Sequence, residues 1–125
     1  MRKVTEQVVK AFLDSEYNAC GNTSTDGQSL WLHGHKIARK TDEGIEINNC
    51  GYQTNVTKER LNGILRLGVF RFPVPRIFQK NFRWYLATGH NPAAEFPCNV
   101  WVNVESELDK AQKLDHFLNA TVKGG

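Results

Sequence analysis

Between Glu59 and Glu95 the chain has no aspartate or glutamate, although thirteen carboxylates occur elsewhere in its 125 residues. The same stretch holds Arg60, Arg66, Arg71, Arg76, Lys80 and Arg83, with Phe70, Phe72, Phe78, Phe82, Trp84 and Tyr85 interleaved. The formal net charge of +3 is thus a +6 block set against a mildly acidic remainder. Long apolar runs are also lacking. Nothing approaches the ~20 residues of a membrane span, and the N-terminal MRKVTEQVVKAFLDSEYNAC has no uninterrupted apolar core of the signal-peptide kind. The expected location is therefore the cytosol. Cysteine is scarce, odd in number and widely spaced (Cys20, Cys50 and Cys98), which does not make a disulfide framework. Free thiols in small, partly buried positions are expected.

The usual chemical signatures are missing too. No G-x-S-x-G elbow, Walker loop or zincin helix occurs. Pro97-Cys98 has no second Cys three residues on, and there is no H-x-E, so zinc-deaminase chemistry is excluded. His33 and His35 flank a glycine, and no short-spaced ligand pair accompanies them. No metal, no cofactor and no catalytic residue is assigned, and the reading leans away from an enzyme.

What is present fits one α+β domain spanning residues 1–125. Val4, Val8, Ala11 and Phe12 recur at helical spacing, predicting a helix over residues 4–14. The polar Asn18 to Ser29 stretch reads as a loop. Ser29–His33, Lys36–Lys40 and Ile45–Asn49 read as a three-stranded antiparallel meander, with turns at His33-Gly34-His35 and Asp42-Glu43-Gly44. A short helix is expected over Lys58–Ile64, ended by Gly63 and Gly68. Pro73 and Pro75 enforce an extended segment, and Ile77–Thr88 predicts a hairpin with Asn81 near its turn and Phe82, Trp84 and Leu86 on the packed face. Residues 89–97 read as a loop and Cys98–Val104 as a strand. A C-terminal helix is expected to follow, capped by Ser106, with Leu108, Ala111, Leu114 and Leu118 as its apolar stripe. The expected sheet has about five strands.

Residues 30–38, LWLHGHKIA, and 45–62, IEINNCGYQTNVTKERLN, with GNTSTDG upstream at 21–27, carry a family likeness. They resemble a group of small proteins of tailed bacteriophages, mostly without an assigned function, whose pattern runs L-x-L-H-G-N-x-I-A and then I-x-I-x-N-A-G-W-x-T-x-T-T-K-E-R-L-N. The chain departs from that pattern at His35, Cys50, Tyr52 and Val56. The likeness covers roughly residues 20–90 and makes 91–125 a C-terminal extension. It implies a phage origin and supplies no catalytic residue to carry over; together with the expected cytosolic location, that makes the host cytoplasm the expected place of action.

Two clusters are candidate binding sites. Arg66, Arg71, Arg76, Lys80 and Arg83, with Tyr85, combine positive charge and flat rings, which suits nucleic acid or a nucleoprotein. The same block suits an acidic protein surface, as in an inhibitor of a host defence or nucleic-acid-processing complex. Thr54, Asn55, Thr57 and Lys58 at a helix start are candidates for holding an anion or the phosphate of a nucleotide. Each cluster has a plainer explanation: the arginines as the solvated outer face of a packed strand, and the threonines as ordinary helix caps. The functional reading of the first requires its cations to share one face.

Overall fold

The computed structural model describes residues 1–69, 74–89 and 93–110. Helix α1 (Lys3–Leu13) opens the chain and buries Val8, Val9 and Phe12. Among the described residues nine short strands and a second helix follow: β1 (Asn18–Cys20), β2 (Thr23–Thr25), β3 (Ser29–Leu32), β4 (His35–Thr41), β5 (Gly44–Ile47), α2 (Asn55–Gly68), β6 (Arg76–Lys80), β7 (Arg83–Ala87), β8 (Ala94–Glu95) and β9 (Val102–Asn103). Residues 104–110 are helical. The α+β class holds, but the strands divide into an antiparallel sheet of order β1-β2-β3-β4-β5-β9 and a smaller one of order β6-β7-β8.

The meander β3-β4-β5 lies where the alternation placed it. A register shift at Leu30/Trp31 leaves Ile37 as the extra residue of β4, so Ile37 and Ala38 are both buried although adjacent. Leu30, Leu32, Ile37, Ala38 and Ile47 pack against Val8, Val9 and Phe12 of α1 and Leu61, Ile64 and Leu65 of α2. Ile77, Trp84, Leu86 and Phe96 join the two sheets into the same core.

Several elements differ from the sequence reading. The Asn18 to Ser29 stretch is not simply a loop, because β1 and β2 form a hairpin within it. Helix α2 begins three residues earlier than expected, with Thr54 accepting a bond from the Thr57 N–H as its cap. It also runs through Gly63. That glycine does not end the helix; it lets α1 approach, since a Cβ there would overlap the Thr5 Cγ2. Only Val102–Asn103 of the expected 98–104 strand pairs, while Cys98 and Val100 are exposed. Asn103, rather than Ser106, caps the last helix by accepting from the Ser106 N–H at 2.8 Å. Within 89–97, Ala94–Glu95 forms β8. The expectations for Phe70, Arg71, Phe72, Pro73 and the helix beyond residue 110 fall outside the described residues.

Two polar devices tie the elements together. Arg60 of α2 is 3% exposed, and its guanidinium donates to Thr23 Oγ1 at 2.9 Å, Thr5 Oγ1 at 2.7 Å, Asn22 Oδ1 at 3.3 Å and the Glu59 carboxylate. Asn62, on the same helix, donates to the Ile77 carbonyl at 2.9 Å and accepts from the Ile77 N–H at 2.6 Å. That clip docks β6, and with it the smaller sheet, onto α2.

Candidate functional site

The hairpin β6–β7 pairs Arg76 with Ala87, Ile77 with Leu86, Phe78 with Tyr85, Gln79 with Trp84 and Lys80 with Arg83. Side chains alternate across a strand, so this register puts Arg76, Phe78, Lys80, Arg83 and Tyr85 on one face and Ile77, Trp84 and Leu86 on the other. The second set is buried in the core. On the outer face Phe78 and Tyr85 stack with ring centroids 5.5 Å apart at 23°, and the Arg76 guanidinium lies 5.3 Å from the Phe78 ring centre. The result is a track about 13 Å long from Arg76 to Lys80, with rings in the middle and cations at both ends.

Phe82 does not belong to the packed face. It sits in the two-residue turn and is 90% exposed. The apolar alternation through residues 82, 84 and 86 breaks there because the strand begins at Arg83.

Of the predicted cations, Arg76, Lys80 and Arg83 therefore share one surface with Tyr85. Arg66 is exposed on α2, where it lines a shallow groove of about 320 Å³ with Asn55, Lys58 and Asn62. Lys10 chiefly, with a smaller contribution from Arg66, holds the Glu6 carboxyl below its ordinary range. Arg60 is inside the protein. The run that lacks acids in sequence meets them in space: Glu59 bonds Arg60, and Glu95, paired with Tyr85 across β7–β8, comes 3.9 Å from Arg83. Among the described residues no carboxylate pairs with Arg76 or Lys80.

The four residues proposed for phosphate separate. Thr54 and Thr57 lie beside a largely apolar cavity of about 300 Å³, lined also by His33, His35, Ile37, Asn49 and Tyr52. Their hydroxyls are 3.0 Å apart and bond each other. Asn55 and Lys58 instead line the Arg66 groove. The LHGHKIA and CGYQTNVT segments do converge at the cavity, where the His35 and Tyr52 rings lie 4.4 Å apart. Among the described residues no group of three His, Cys, Asp or Glu side chains is placed to hold a metal ion. Cys20, Cys50 and Cys98 form no disulfide. Burial pushes the Cys50 thiol up, and its Sγ lies 3.0 Å from the Lys36 carbonyl oxygen, to which it donates.

Sequence reasoning missed a second meeting of rings and cations, on the outer face of the larger sheet. There Lys36 lies 5.6 Å from the Trp31 ring centre and Arg39 lies 4.0 Å from that of Trp101. Those residues are scattered from 31 to 101, so only the strand order brings them together. Arg39 is committed to Glu46 at 2.7 Å, which leaves the hairpin as the less neutralised of the two surfaces.

Residues 1–103 match the family described as Kyanoviridae Gp96 protein, a family of phage proteins. The chain belongs to that family. The match takes in α1, α2 and strands β1 to β9, a longer span than the 20–90 likeness seen in the motifs. No curated protein and no solved structure matches the chain. A phage accessory role is compatible with this membership, and no helix among the described residues is long and apolar enough to cross a membrane.

Proposed function

We propose that this Gp96-family chain is a non-enzymatic accessory protein that acts in the host cytoplasm and binds nucleic acid through the outer face of its β6–β7 hairpin. The observation that supports this most is the register that sets Arg76, Lys80 and Arg83 around the Phe78–Tyr85 stack. Cations next to flat rings match alternating phosphates and bases. Exposed salt bridges contribute little to stability, so the 3.9 Å approach of Glu95 leaves Arg83 available to a phosphate.

The test is binding of the protein to a labelled oligonucleotide across a salt series. Three phosphate contacts give a slope of roughly 2 in log affinity against log salt on single strand, at about 0.7 each. Replacing Arg76, Lys80 and Arg83 together by Glu should reduce affinity by roughly 100-fold or more at low salt and flatten that slope. All three side chains are exposed, so the fold should survive. Unchanged binding by the triple variant would sink the proposal. Capture of a host protein after nuclease treatment, with no shift of free nucleic acid, would replace it with the inhibitor reading of the same face.

A further inference from the structure

The tip of the hairpin is built against its own stability. Lys80 and Arg83 close a two-residue turn whose central residues, Asn81 at φ 53° and Phe82 at φ 64°, are both left-handed. Such a type I′ turn favours Asn followed by Gly. Asn tolerates the first position, but a bulky ring at the second is strained. Burial does not offset that strain, because Phe82 is 90% exposed. The closing pair adds to it by setting two like charges directly opposite each other. A glycine at residue 82 and an acid at residue 80 or 83 would relieve all three features. What the tip keeps instead is a flat ring held out between two cations.

We propose that Phe82 is a stacking wedge for the unpaired bases of single-stranded nucleic acid, with Lys80 and Arg83 holding the phosphates on either side. This rests on the binding role proposed for the hairpin and names the substrate class. The face offers ring planes, namely Phe82 at the tip and the Phe78–Tyr85 stack behind it, and it has no Asn or Gln paired on it to read base edges. Ring planes complement base planes, which a duplex hides within its own stack and a single strand exposes.

The experiment uses the whole protein with a mixed-sequence single-stranded oligonucleotide carrying 2-aminopurine, and with the duplex of the same sequence. The parent should prefer the single strand and change the 2-aminopurine emission. Phe82→Gly should melt at or above the parent temperature and bind the single strand about tenfold more weakly or worse. It should keep the parent's salt slope and lose the emission change. Phe82→Trp should bind at least as well as the parent, with its indole emission quenched by the oligonucleotide. Parent affinity and emission change in Phe82→Gly would overturn the wedge while leaving the nucleic-acid reading in place. So would tighter binding to duplex than to single strand, or a Gly variant that melts well below the parent. Failure of the parent to bind either oligonucleotide overturns the wedge and the binding role together.

Discussion

Replacing Arg60 by alanine should lower stability by about 3 kcal/mol or more, which for a domain of this size is a fall of roughly 10 °C in melting temperature. The side chain is 3% exposed and reaches four partners on three elements. Removing it leaves the Thr5 and Thr23 hydroxyls short of a donor and the half-buried Glu59 without its cation. A lone charge left in such a place costs far more than the pair gained by forming. Arg60→Lys should recover only part of the loss, because an ammonium cannot span Thr5, Thr23 and Asn22 as a planar fork does.

The same network predicts an acid limb. Burial pushes the Glu59 carboxyl up, but bonds from the Thr5 hydroxyl, the Arg2 N–H and Arg60 outweigh it, so the group titrates below the ordinary 4.5. A carboxyl depressed on folding contributes stability that is complete above its unfolded pKa and is lost as pH falls through the folded one. Thermal melts from neutral pH down to about pH 3 should therefore show a decline that Glu59→Gln makes shallower. An acid limb of equal steepness in that variant would assign the decline to other carboxyls.

Gly27→Ala should cost about 2 to 4 kcal/mol. Gly27 turns the chain from β2 into β3 at φ +89°, and a Cβ would stand 2.6 Å from the Ser15 carbonyl carbon and 2.9 Å from the Glu16 nitrogen. Those atoms are backbone, just past α1, and cannot rotate aside. Lys40 clamps the same spot by donating to the Gly27 carbonyl at 3.0 Å and to Ser15 Oγ at 2.8 Å, while lying 5.1 Å from the Phe12 ring centre. The control is Gly21→Ala. Gly21 also has a positive φ, +58°, but has nothing within 4 Å of its Cβ position, so it should lose only about 1 kcal/mol. Equal losses at the two sites, measured by chemical denaturation, would mean that backbone conformation and not the contact with Ser15 sets the cost.

How much of this could be read from the residues follows from the kind of burial each element has. The meander and both helices announced themselves because Leu30, Leu32, Ile47, Val8, Phe12, Leu61 and Ile64 are apolar at strand or helix spacing. The β1–β2 hairpin did not, because its buried side chains are Thr23 and Thr25. Thr25 donates to the Ser29 carbonyl at 2.6 Å and Thr23 accepts from Arg60. A strand with a hydrogen-bonded polar interior has no apolar period to detect. Phe82 was misplaced by the opposite error, an apolar residue in step with a strand that had not yet begun. The cation face was visible as composition, since Arg76, Lys80 and Arg83 lie within eight residues and their parity follows from the turn at Asn81. The contact between Glu95 and the run was not visible, because Glu95 reaches Arg83 only through the pairing of β7 with β8.

Strand β6 lies at the margin of its three-stranded sheet, and an open margin is where a second molecule adds itself by backbone pairing. The Asn62 amide meets the Ile77 N–H and carbonyl there as a neighbouring strand would. Toward the tip the margin continues through Gln79 to Lys80, whose charge repels a copy of itself. One helix side chain on the Ile77 backbone and one charged lysine toward the tip are both features that disfavour the addition of a further strand at this margin.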